Sequence, residues 1–86
     1  MEVEFAPKAL QDIKSWKASG NAKIQKKIAD LINAVTERPF AGIGKPEPLK
    51  HEFSGCWSRR INEEHRMIYE VSDNLIKVLS LKDHYK

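Results

Sequence analysis

The stretch from Pro39 to Pro48, PFAGIGKPEP, divides this 86-residue chain into two unlike halves. It sets three prolines and two glycines in ten positions. Neither a helix nor a long strand runs through such a segment, because proline has no backbone N–H to donate and glycine loses the most entropy on ordering. Before it the apolar residues recur mainly at helical steps; after it they alternate. A chain patterned this way lays helices against a sheet, which makes the fold class α+β.

Residues 2–6, EVEFA, alternate polar and apolar and predict a short strand that Pro7 ends. Pro7 also suits the first turn of a helix, expected over roughly 8–18, where Ala9, Leu10, Ile13 and Trp16 recur at three- and four-residue steps behind Ala6. Gly20 supplies a left-handed stop and Asn21 an N-cap. In a second helix over 22–37, Ile24, Ile28, Leu31, Ile32 and Val35 form one apolar stripe with lysines on the other side. The two helices pair antiparallel, with Trp16 in the core. Beyond the divide, three strands are expected at 56–61, 65–71 and 75–81, joined by turns at Asn62-Glu63-Glu64 and Ser72-Asp73-Asn74. In the middle strand His65, Met67, Tyr69 and Val71 share one face and Arg66, Ile68 and Glu70 the other. One face packs on the helices, which leaves the other free to carry a site. The last strand, LIKVLSL, is the most apolar and is expected to lie centrally. The order is β-α-α-β-β-β: a twisted antiparallel-rich sheet with two N-terminal helices on one face, in a single domain over 1–86.

Composition narrows the class. With 41% hydrophobic and 31% charged residues, the chain matches a globular protein rather than a disordered tail. No apolar run approaches the roughly 20 residues a membrane helix needs. The first residues, MEVEFAPK, are acidic where an export signal would be basic. One cysteine, Cys56, excludes an internal disulfide. A cytoplasmic location is the expectation. The net charge of +3 lies entirely in residues 1–46, which hold eight Lys/Arg against five Asp/Glu. Lysines 8, 14, 17, 23, 26 and 27 place it on the helices, either as a solvated face or as a weak surface for nucleic acid or the ribosome.

The chemistry concentrates after the divide. Glu47 stands between Pro46 and Pro48, and the ring of Pro48 biases it toward extended backbone, so its carboxylate is presented with little freedom. Arg59, Arg60 and Arg66 are permanent cations whose forks match phosphate oxygens. Metal chemistry is set aside, since His51, Cys56, His65 and His84 match no paired ligand spacing. Cys56 on a half-buried strand reads as packing rather than a nucleophile, and no glycine-rich phosphate cradle is present. What remains is Glu47, Lys50, Arg60, Arg66, His84 and Tyr85: a base, phosphate cations and an acid, the parts needed to cleave RNA through its own 2′-hydroxyl without a cofactor. Taken singly, the same residues also read as surface ion pairs, and the loop as a plain connector.

Three stretches in order, PF-x-G-x-G-KPEPLKH, FSG-x-WSRRI and EEHR-x-x-Y, together with the terminal DHYK, resemble the YoeB toxins of bacterial toxin–antitoxin systems, in the RelE/ParE superfamily. The resemblance spans essentially the whole chain. It implies a ribosome-dependent messenger RNA endonuclease that cleaves in the A site and inhibits translation. It further implies Glu47 as general base, His84 as general acid and Arg66 on the scissile phosphate, with Lys50, Arg60 and Tyr85 in support. Lys23, Lys26 and Lys27 become ribosome-contacting residues. The implied partners are a YefM-like antitoxin, the ribosome with its messenger RNA, and operator DNA bound together with the antitoxin; monomer and homodimer both stay open. Two departures are an aromatic position that is Cys56 here and Lys86 beyond the terminal tyrosine. Two alternatives remain: a gyrase-binding toxin of the ParE type, and an operator-binding co-repressor.

Overall fold

Local chemistry places the helices where the sequence expects them. In this computed structural model, which describes residues 1–83, strand β1 (Glu2–Phe5) gives way at Pro7 to helix α1 (Pro7–Ser19). Gly20 ends α1 in a left-handed conformation, its N–H donating to Lys17 O. Asn21 then caps α2 (Ala22–Glu37) by accepting from the Ile24 N–H at 3.1 Å. The stripe of α2 is buried at Ile28, Leu31 and Val35. Leu10, counted into the apolar stripe of α1 from its spacing, is instead 50% exposed, and the buried polar residue on that helix is Asp12. The burial of Asp12 is compensated: its carboxylate accepts from Lys8 Nζ and from the Leu81 N–H, both at 2.9 Å.

After the divide come β2 (Glu47–Pro48), a single 3-10 turn (His51–Phe53), β3 (Cys56–Arg60), β4 (Arg66–Ser72) and β5 (Leu75–Ser80). The sheet has five strands in the order β1-β5-β4-β3-β2, parallel between β1 and β5 and antiparallel elsewhere. The fold is α+β, as expected, with one strand more than the sequence pattern predicts. Strand β2 is two residues long, too short for any alternation to announce it. β5 is an interior strand, and the middle position belongs to β4.

The core lies between the helices and one face of the sheet: Ala9, Trp16, Ile28, Leu31 and Val35 meet Met67, Tyr69, Ile76, Val78 and Leu81. The register between β4 and β5 slips at Ile68/Tyr69, so that Ile68 pairs with Ser80 while Tyr69 pairs with Val78, leaving Leu79 as an extra residue. Without that bulge, alternation from Ile76 and Val78 would turn Leu81 away from the helices. With it, Leu81 enters the core. Its carbonyl then accepts from Trp16 Nε1 at 2.9 Å while its N–H meets Asp12. The segment that follows is fastened on both sides: Lys82 Nζ donates to Ser15 Oγ, the Asp83 N–H to His65 Nδ1, and the Arg66 N–H to Asp83 O. The last described peptide therefore lies beside Arg66.

Candidate active site

Pairing register assembles the site. Glu47 pairs with Ser58 across β2–β3, Ser58 with Ile68 across β3–β4, and Arg60 with Arg66 one row along. Paired residues share a face, so Glu47, Ser58, Arg60, Arg66 and Ile68 lie together on the side of the sheet away from the helices. They line one cleft of about 180 Å³ with Lys45 and Leu49. One carboxylate and three cations meet there, a balance that favours a phosphate backbone over an acidic peptide.

The loop delivers Glu47 through a close approach of backbone to backbone. Gly44 O accepts from the Arg60 N–H at 2.6 Å, and the Leu49 N–H donates to Cys56 O at 2.9 Å, bracketing β2. A Cβ on Gly44 would stand 2.8 Å from Leu31 Cδ2 and 3.2 Å from Arg60 O, at a φ of +83°. Only glycine fits both demands. Lys45 follows in the left-handed region at φ +49°, an uncommon conformation for a lysine, and lines the cleft beside Glu47. Sequence reasoning passed over Lys45, which enters the cleft because the preceding Gly44 carbonyl is bonded to the Arg60 N–H.

Arg59 has a different role from its neighbours. Strand alternation turns it to the helix side, where it is fully buried. Its Nε donates to Tyr69 Oη at 3.2 Å, and its two terminal nitrogens donate to Arg38 O, Ala41 O and Ile43 O. Tyr69 Oη donates in turn to Pro39 O at 2.7 Å. Burial pushes the Tyr69 hydroxyl pKa above its ordinary value, although the Arg59 hydrogen bond and charge oppose the rise. The expectation that Arg59 offers its fork to phosphate is corrected: its guanidinium is committed to the backbone of the loop. A tandem Arg-Arg carries no mark of which member faces inward; only the register supplies it.

Arg66, on the cleft, has its Nη1 held by three carbonyl oxygens, Asn62 O at 2.6 Å, His65 O at 3.1 Å and Glu63 O at 3.2 Å. Lys50 stands exposed at the start of the 3-10 turn, next to Leu49 but outside the cleft lining. Lys23, Lys26 and Lys27 line a separate groove of about 560 Å³ together with Asn62 and Glu63. Lys26 is ion-paired with Asp30 at 3.0 Å, which leaves less of its charge for an external anion. His84 and Tyr85 lie outside the described residues. Burial and the nearby Glu70 carboxylate push the Cys56 thiol pKa up, the wrong direction for a nucleophile at neutral pH. Among the described residues no three His, Cys, Asp or Glu side chains come together to hold a metal ion, and no helix is long and apolar enough to cross a membrane.

The model of the YoeB-like toxin of bacterial type II toxin–antitoxin systems matches residues 5–85. The chain belongs to the YoeB family. Among YoeB-like relatives, the toxin RelK of Mycobacterium tuberculosis is 45% identical over 83 residues, covering 96% of each chain. A solved YoeB/ParE toxin from Agrobacterium tumefaciens superposes with a TM-score of 0.93 at 40% identity, covering 99% of this chain and 100% of that one. YoeB of Staphylococcus aureus, solved both in a YoeB–YefM complex and as a dimer, gives a TM-score of 0.88 at 44% and 43% identity, with 99% of this chain and 98% of the other covered. Fold, length and family agree, and the chain is a toxin of the type II toxin–antitoxin class.

Proposed function

We propose that this toxin is a ribosome-dependent messenger RNA endonuclease whose active site is the cleft of Glu47, Arg60 and Arg66. The observation that carries this reading is the convergence of one carboxylate and three cations on the free face of the sheet, on strands that fix their spacing. Glu47 withdraws the proton from the 2′-hydroxyl before the scissile bond. That oxygen attacks the adjacent phosphorus in line with the departing 5′-oxygen. Arg66 holds the charge that develops on the phosphoryl oxygens, and Arg60 and Lys45 neutralise the rest of the backbone in the cleft. Lys50 assists from the rim. His84 protonates the leaving oxygen, and Tyr85 shapes the site beside it; both follow directly on the segment that β4 and α1 fasten at Leu81–Asp83. The products are a 2′,3′-cyclic phosphate and a free 5′-hydroxyl, and the scheme needs no metal.

The message is met in the ribosomal A site, with Lys23, Lys26 and Lys27 contacting ribosomal RNA. The S. aureus relative assembles with YefM and as a dimer; a YefM-like antitoxin, operator DNA bound through it, and a homodimer are the partners proposed here. A cytoplasmic location follows from a ribosomal target. Primer extension on translating ribosomes tests the reading. Cuts confined to the A-site codon, lost with Glu47→Ala at a rate penalty of about 10² to 10⁴-fold, support it. Intact messages together with stalled gyrase–DNA complexes would instead identify a toxin of the ParE type.

A further inference from the structure

We propose that Asn62 is a positioning residue for Arg66, acting through the turn between β3 and β4; the inference rests on the reading of Arg66 as the phosphate ligand. The turn is organised by one side chain. Asn62 Oδ1 accepts from the Glu64 N–H at 2.9 Å and from the His65 N–H at 2.7 Å. The Ile61 and Asn62 N–H groups close on His65 O at 3.0 and 3.3 Å. These bonds point the carbonyls of residues 62, 63 and 65 at a single atom, Arg66 Nη1. Asparagine suits the task because its amide oxygen mimics a backbone acceptor within a turn.

The consequence for Arg66 follows from the planarity of its guanidinium. Nη1 has two hydrogens and faces three acceptors, so the turn takes all of its donor capacity. Nε and Nη2 lie on the edge away from Nη1, and among the described residues neither makes a hydrogen bond. That edge is the fork that binds two oxygens of one phosphate side by side. Arg66 lines the cleft with Glu47 and Arg60. Tying Nη1 to the backbone removes rotamer freedom that a substrate would otherwise have to freeze, and it fixes which edge is offered. Asn62 touches no reacting group in this scheme: its Oδ1 is committed to the turn, on the border of the groove that holds Lys23, Lys26 and Lys27.

Single-turnover cleavage on programmed ribosomes tests it with Asn62→Ala, Asn62→Ser and Arg66→Ala. Asn62→Ala should slow cleavage by about 10 to 10²-fold, the scale of a displaced reacting group, when measured with toxin in saturating excess so that any change in ribosome affinity at the neighbouring lysine groove does not enter the rate. Asn62→Ser, which keeps an oxygen acceptor at the turn, should recover much of the loss. In an Arg66→Ala background the Asn62→Ala change should add nothing. The heteronuclear NOE of the Arg66 Nε–H, read without substrate, should fall in Asn62→Ala and return in Asn62→Ser. The inference is overturned if Asn62→Ala cleaves at the wild-type rate with an unchanged NOE, or slows cleavage equally whether or not Arg66 is present. Full activity of Arg66→Ala would sink the functional reading itself, whatever Asn62 does.

Discussion

Arg59 and Arg60 are adjacent in sequence and opposite in function because a strand sends successive side chains to opposite faces. Arg59 anchors the loop from below; Arg60 meets the cleft from above. Their substitutions should therefore separate stability from activity. Arg59→Met strands Arg38 O, Ala41 O and Ile43 O without their buried donor and should cost roughly 2 to 4 kcal/mol in urea unfolding. Arg60→Ala should stay within about 0.5 kcal/mol of wild type in the same experiment, as surface changes do, while slowing cleavage. Equal stability losses would contradict the assignment of faces. A second test at this scale concerns Cys56, whose thiol is held above its ordinary pKa by burial and by Glu70. Because only the thiolate is alkylated, the rate of reaction with iodoacetamide should still be climbing at the pH where a free thiol has levelled off. Cys56→Ser should cleave normally.

The loop and the short strand it carries form the element on which the cleft depends. Gly44→Ala places a Cβ against Leu31, Arg59 and Arg60 at a left-handed φ, so it should cost about 1 to 3 kcal/mol and displace Lys45 and Glu47 with the backbone. Gly20→Ala offers the control: its φ is also positive, but nothing lies within 4 Å of the added atom. It should lose only about 1 kcal/mol and leave cleavage intact. A cleavage defect no larger in Gly44→Ala than in Gly20→Ala would remove the loop from the site. In α2, Lys23→Ala and Lys27→Ala should each weaken ribosome binding and flatten its salt dependence. Lys26→Ala should do less, because Asp30 already neutralises part of its charge. The helices were legible in advance because a stripe of five residues repeats one signal. Strand β2 was not, since two residues hold no repeat and Pro48 contributes no N–H. Leu10 was misplaced for a related reason: spacing counts apolar residues, whereas one of the three buried positions on α1 is held by a polar residue, Asp12, through its bond to Leu81.

At the scale of the whole molecule, one sheet separates two tasks. Its helix side carries the core and the buried Arg59–Tyr69 clamp, and its free side carries the cleft. The order of strands matters because Glu47, Arg60 and Arg66 come from three successive strands, β2, β3 and β4, that are also neighbours in the sheet. Glu47, Arg60 and Arg66 could be named from the sequence because acids and arginines announce their chemistry and the family motifs quote them. Lys45 and Asn62 could not, since a lysine before proline and an asparagine in a turn are common, and only the folded loop and turn give them their neighbours. Cleavage of a message by its own 2′-hydroxyl is the claim on which the rest depends. The most direct measurement is single-turnover cleavage of a ribosome-bound message with one 2′-deoxy nucleotide at the attacking position. That message should bind like its all-ribose counterpart and remain intact, while the counterpart ends in a 2′,3′-cyclic phosphate; cutting of the deoxy message at a comparable rate would contradict the account.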